Sequence, residues 1–276
     1  MPSHHSNSSK KLLAEVVLPV LVVMGWLLGQ PGVVLAEEKK ISFVNDIAPV
    51  LTRAGCNQGL CHAKAGGGQN GFQLSLLGFE PQEDYEHIVQ ESLGRRLSFS
   101  SPDQSLLLLK ASGKMPHKGG SRLPESSSGY ALIKQWILLG APMDGPGAVK
   151  IVDMQIEPKK GSLKPQSSQQ LKAIAKYSDG STRDVTDLAL FESNEKAMAD
   201  VSEKGLVKAL DIPGKVSVMV RYQGFVAVFN AAVPLGARVD SVPPSKNFVD
   251  DAVFANLKEI GVPPSPVCDD STFLRR

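Results

Sequence analysis

Cys56-Asn-Gln-Gly-Leu-Cys61-His62 concentrates the most reactive side chains of this chain, two thiols in one short loop followed at once by an imidazole. Thiols so placed can add to the vinyl groups of a haem as two thioethers, and the histidine beside the second thiol is then carried under the iron as proximal ligand. The motif therefore predicts one covalent haem c held by Cys56, Cys61 and His62. Four residues separate the cysteines where the usual spacing has two, so the loop must bulge, which Gly59 eases because glycine accepts unusual backbone angles. Two other chemistries use the same side chains. In an oxidising compartment paired thiols form a disulfide. Thiolates with an imidazole also bind zinc, with His117 as a fourth ligand, although structural zinc sites usually draw on two well-separated ligand pairs.

A low-spin haem requires a second axial ligand, and Lys114-Met115-Pro116-His117-Lys118-Gly119-Gly120 is where the chain offers one. Met115 precedes a proline, which keeps the backbone extended and can aim the thioether at a metal. His117 stands two residues on. A methionine ligand would raise the reduction potential and a second histidine would lower it. Met115 and His117 thus join His62 as candidate metal ligands, against the plainer readings of a packing methionine and a solvent-exposed loop histidine. His87, after Asp84-Tyr85-Glu86, reads as a surface or capping histidine.

These residues need elements to position them. Phe43, Val44, Ile47, Val50 and Leu51 recur at helical spacing and stop at Gly55, so a helix should deliver the cysteine motif to a core. The four glycines between Ala65 and Gly71 make either a surface loop or a stretch of backbone able to pass close to a haem edge. They are not a phosphate loop, because the Lys-Ser/Thr ending is missing. Tyr130, Ile133, Trp136, Ile137 and Leu139 form an apolar stripe closed by Gly140 and Pro142, which predicts a second helix with Trp136 in its core.

Export fits this chemistry. Lys10 and Lys11 precede an apolar run from Val16 to Leu28, then Gln30-Pro31-Gly32 breaks it and Val34-Leu35-Ala36 offers small residues for cleavage before Glu37. That is the pattern of a signal peptide over residues 1–36, since a bilayer span needs about 20 apolar residues. The mature chain is then expected in the periplasm or at the cell surface. The net charge of +2, without a basic stripe carrying interleaved aromatics, argues against a nucleic-acid partner. Three cysteines cannot all pair within one chain, and only Cys56 and Cys61 look like a unit.

After residue 149 the period changes. Ile151 to Glu157, Gln170 to Tyr177, Met198 to Ser202, Gly205 to Ala209, Val216 to Tyr222 and Phe225 to Val233 alternate or run apolar between turn residues, which predicts a small β-sandwich held by its core. Asp179, Asp184, Asp187 and Glu192 are dispersed carboxylates, and no hydrolytic constellation emerges. The sequence therefore reads as an electron carrier or binding module rather than an enzyme.

Residues 43 to 142 resemble the planctomycete cytochrome c-like domain through Gly55-Cys56-Asn57 with Cys61-His62, Gly71-Phe72-Gln73-Leu74-Ser75-Leu76, Asp84-Tyr85, Gly94-Arg95-Arg96, Ser105 to Lys110, Pro116-His117 with Gly119-Gly120, and Trp136-Ile137. That resemblance implies haem c, and it favours His117 over Met115 or leaves the iron five-coordinate. Tyr177-Ser178-Asp179-Gly180-Ser181-Thr182-Arg183-Asp184-Val185-Thr186, with Val201-Ser202 and Gly205-Leu206-Val207, resembles the group 2 bacterial Ig-like domain, which implies a spacer or adhesive unit over residues 149–234. Phe248, Val249, Val253, Phe254, Leu257 and Ile260 make a helix stopped by Gly261, and a further helix starts at Cys268-Asp269-Asp270. With Pro263-Pro264-Ser265-Pro266 and Phe273-Leu274-Arg275-Arg276, this tail resembles the opening of a large planctomycete domain of unknown function, so the chain reads as a truncated part of a longer architecture.

The expected organisation is multidomain: a signal peptide (1–36), a mainly α cytochrome c-like haem domain (37–145), an all-β Ig-like sandwich (149–234), and a linker with a short helical tail (235–276). The expected function is an exported electron-transfer module on an Ig-like spacer, serving a redox partner protein of unknown identity. The competing expectation is a haem-free surface structural or adhesion protein with a Cys56–Cys61 disulfide, reaching cell envelope or glycan through the Ig-like domain.

Overall fold

The computed structural model describes Met1 and residues 40–59 and 61–276, so the signal peptide expected over residues 1–36 lies, but for Met1, outside the described residues. Ser42 makes a reciprocal cap: its hydroxyl accepts from Asn45 N–H at 2.8 Å, and the Asp46 carboxylate accepts from Ser42 N–H at 2.9 Å. A π turn, Phe43–Ile47, runs directly into α1, Ala48–Arg53. Pro49 sits in the first turn of α1, where its missing N–H is not needed.

Three more helices complete this segment: α2, Pro81–Val89; α3, Leu106–Ala111; and α4, Ser128–Leu138. Phe43, Ile47 and Leu51 bury against Ile88, Leu108, Ile133, Trp136 and Ile137, so the apolar stripes seen in the sequence do meet in one core. The ring of Phe43 stands edge-on to Tyr85 at 5.3 Å and tilts against Trp136 at 5.5 Å. A mainly α domain was expected, yet the helices are short and alternate with loops and 3-10 turns, so the helical content is modest. Pro81 opens α2, while left-handed Gly113 and Gly140 lie just past the ends of α3 and α4.

Ten strands follow. They are β1, Ile151–Glu157; β2, Lys160–Ser162; β3, Ser168–Gln170; β4, Lys172–Tyr177; β5, Thr182–Asp184; β6, Leu190–Ser193; β7, Ala199–Val201; β8, Leu206–Ala209; β9, Gly214–Tyr222; and β10, Phe225–Val233. They form three sheets, ordered β1-β4-β5, β3-β8-β7 and β2-β10-β9-β6. The strand expected from Gln170 to Tyr177 divides at Leu171, whose N–H donates to Gly205 O at 2.9 Å, so β3 pairs with β8 while β4 pairs with β1 and β5. Alternate residues Ala173, Ala175, Tyr177, Val216, Val218, Val220 and Tyr222 point into one cysteine-free core. The Ig-like β fold anticipated from the sequence is present. Strands β2, β5 and β6 were not anticipated; β2 (Lys-Gly-Ser) and β5 (Thr-Arg-Asp) carry no apolar residue to mark a buried face.

The helical tail is also present. In α5, Phe248–Ile260, the Asn247 side chain accepts from Val249 and Asp250 N–H, and Gly261 closes the helix at φ 66. Asp269 caps α6, Asp270–Arg275, by accepting from Thr272 N–H at 2.7 Å. Residues Ile41–Arg276 form one compact unit, in which the helical and Ig-like segments are packed together. Among the described residues no helix is long and apolar enough to cross a membrane.

Candidate functional site

The cysteine loop begins where α1 ends. Gly55 turns left-handed at φ 76, Cys56 N–H donates to Leu51 O at 3.0 Å, and His62 N–H returns to Cys56 O at 3.0 Å, closing the loop on itself. Both cysteines are half-buried, and the Cys56 side chain packs against the helical core. Burial, reinforced by the neighbouring Cys61 and opposed by Arg122, pushes the Cys56 thiol up to about 11. This residue stays protonated at neutral pH.

His62 has one backbone carbonyl and two rings as neighbours. Asn70 and Gly71, at φ 53 and 73, make a tight turn in which Gln69 and Phe72 exchange backbone hydrogen bonds, and this turn carries the Phe72 carbonyl to 3.2 Å from His62 Nδ1. The glycines before it serve that close approach: a Cβ on Gly68 would lie 2.6 Å from Phe72 O. The Phe72 ring covers His62 at 4.7 Å, and the Arg96 guanidinium covers Phe72 at 4.6 Å. The His117 ring lies parallel to that of His62 with centroids 6.1 Å apart, its own Nδ1 2.9 Å from Gly120 O. Burial lowers the His62 pKa below its ordinary value, and the positive potential of His117 and Arg96 adds to it against the Phe72 hydrogen bond.

Of the sequence candidates, the fold brings Cys56, Cys61, His62 and His117 into one neighbourhood. Met115 sits half-buried on the following turn, tied by its N–H to Leu109 O at 3.0 Å, and the ring that reaches His62 is that of His117. His87, read as a surface or capping histidine, is half-buried in the last turn of α2, with Nδ1 2.8 Å from Gln73 O. Phe72 and Arg96 escaped notice as parts of the site. The signal that could have found them is the Asn-Gly turn, which places Phe72 opposite His62.

The residues present do not fit haem c, and that expectation is corrected here. Among the described residues no group of three or more His, Cys, Asp or Glu side chains comes together to hold a metal ion. The same finding removes zinc. Cys56 packs partly buried against the apolar core, and the His62 ring has Phe72 and His117 beside it. A cavity of about 160 Å³ lies elsewhere, bounded by Val44, Ala48, Thr52, Leu77, Phe79 and Gln223. Haem c on Cys56, Cys61 and His62 is therefore withdrawn as the cofactor.

The structure shows instead a built junction between the helical segment and the sandwich. Tyr222 is 1% exposed and its hydroxyl donates to Asn45 O at 2.6 Å, so the hydrogen bond with Tyr177 at 3.0 Å must be donated by Tyr177. Gln223 Nε2 donates to Asn45 Oδ1 at 2.7 Å. Asp46, 4% exposed, pairs with Arg183 at 2.7 Å. At the rim Arg53 donates to Asp187 O at 2.6 Å and to Glu203. Asn45, Asp46, Arg183 and Tyr222 went unnoticed as a unit, since pairing across such sequence distances leaves no local pattern.

Three antiparallel-dominated sheets around one alternating apolar core give an Ig-like β fold. Residues 151–224 match the bacterial Ig-like domain (group 2) family. The match is confined to that segment and lends no support to a cytochrome c-like or planctomycete domain. No curated protein matches the chain.

Proposed function

We propose that this chain is an exported, haem-free structural or adhesive protein of the cell envelope, in which the helical segment and the Ig-like sandwich act as one rigid body. The observation that carries this reading is the buried polar junction, because Asp46–Arg183 and the Tyr177–Tyr222–Asn45 chain make the sandwich an immobilised platform rather than a bead on a tether. Buried and satisfied polar groups specify one geometry. Export is supported by the leader pattern at Lys10 to Ala36, and residence in the periplasm or at the surface follows from it. The likeness of residues 43–142 to the planctomycete cytochrome c-like domain belongs to this reading as kinship of packing, without the prosthetic group.

In that compartment Cys56 and Cys61 would close a disulfide. An exchange-active disulfide of the export machinery accepts two electrons and two protons from the thiols, and one S–S bond forms within the loop that His62 N–H already closes onto Cys56 O. The test is secretion followed by intact mass and a binding assay. The exported chain should begin near Glu37, weigh two hydrogen atoms less than its reduced form with nothing added, and sediment with isolated envelope. A chain that stays in the supernatant with both thiols free sinks the proposal.

A further inference from the structure

Over residues 226–228 the outer edge of β10 has no ladder partner among the described residues, and β1 runs alongside it without hydrogen-bonding to it. The chain leaves the β4 side of the sandwich after β1 and joins β10 only at β2, which pairs in parallel with Asn230, Ala231 and Ala232. Asn230 N–H donates to Lys159 O at 3.1 Å, and Ala232 O accepts from Leu163 N–H at 2.8 Å, so even-numbered residues of β10 turn their backbone groups toward this edge. By the period of two, Val226 and Val228 present their N–H and C=O groups there as well, while Phe225, Ala227 and Phe229 bond to β9. Beside them runs a groove of about 300 Å³, lined by Asp153, Met154, Gln155, Ile156, Lys159 and Val226 to Val228.

Natural edges are usually guarded by charge, proline, a bulge or a covering segment. β10 carries neither charge nor proline, and its register with β9 runs without a bulge. Val226 and Val228 are 47% and 41% exposed. The stretch Phe225-Val226-Ala227-Val228-Phe229 also reads the same in both directions.

From this we propose that two copies of the chain pair edge to edge and antiparallel through residues 225–229, about a two-fold axis at Ala227. In this register Val226 stands opposite Val228 of the partner subunit, and Val228 opposite the partner's Val226. Both are hydrogen-bonded pairs, so the four free backbone groups of each copy are satisfied together. Ala227 then faces its equivalent at the non-hydrogen-bonded position, where Cα atoms approach to about 4.5 Å and a small side chain suits the axis. The valines form β-branched cross-strand pairs. The new ladder continues the existing β2–β10 edge, and using one self-complementary patch closes the assembly at two copies. The inference goes beyond the envelope reading and does not depend on it.

Sedimentation equilibrium of the mature chain tests it. A concentration-dependent dimer is expected. Val228→Pro removes an edge N–H that β9 does not use, and should weaken self-association by at least about tenfold while far-ultraviolet circular dichroism stays native. Val226→Lys should weaken it similarly, and the double variant Val226→Lys/Val228→Glu, which sets opposite charges against each other at both pairs, should restore it. A wild-type chain that stays monomeric at every concentration overturns the proposal, as does a dimer that both single variants leave unchanged.

Discussion

At Cys56 the apolar core raises the thiol pKa from an ordinary 9.0 to about 11. In the reduced mature protein, thiolate absorbance from this residue should therefore appear near pH 11, and titration at or below the ordinary value would refute its burial. The folded chain holds this proton more tightly than the unfolded chain, so the stability it contributes is intact below pH 9 and is lost as pH rises toward 11. His62 acts in the opposite range. Its folded pKa is depressed, so the stability tied to its neutral ring is present above about 6.5 and falls as the solution is acidified below that value. Urea unfolding of wild type and His62→Gln across pH 5 to 8 should converge at the acid end, since only the wild type must charge a buried imidazole.

At the scale of elements, the turn at Asn70-Gly71 and the helix caps determine what the site residues can reach. Gly68→Ala would place a methyl 2.6 Å from Phe72 O, against backbone that cannot yield cheaply, at a residue already left-handed at φ 65. The expected result is a loss of more than about 1 kcal/mol in stability and release of the His62 ring, visible as an upward shift of its pKa in a proton NMR titration. Asn247→Ala removes the side chain that accepts from Val249 and Asp250 N–H, and should cost α5 about 1 kcal/mol. Faster amide exchange confined to α5 is the measurement that checks it. Both sites were legible in part: Gly261 was read as the stop of α5, but the partners of the glycine run were not, because glycine marks only where backbone is permissive.

At the scale of the whole molecule, the prediction concerns cooperativity. The helical core and the sandwich core are joined by Asp46–Arg183 and by Tyr222 on Asn45, so wild type should unfold in one calorimetric transition. Arg183→Met leaves Asp46 buried without its cation and Tyr222→Phe removes the donor to Asn45. Each should cost about 2 to 3 kcal/mol, and together they should resolve two transitions. A single undivided transition in the double variant would show that the junction does not couple the segments.

The sequence by itself determined where local pattern is strong. The alternation of β9 and β10, the apolar stripes of α4 and α5, and the Ig-like segment were all readable, because periodicity and turn chemistry act between near neighbours. Residue types alone also led to haem at Cys56, Cys61 and His62, and there the tertiary structure decided otherwise. A thiol's chemistry depends on what surrounds it, and the core against which Cys56 packs, the Phe72 carbonyl beside His62 Nδ1 and the His117 ring come from other segments. The same holds for Arg183 on Asp46 and for the unpaired edge of β10 over residues 226–228, which exists only because β1 and β2 join different sheets. Burial and strand order are properties of the folded chain, and short-range sequence carries no record of them.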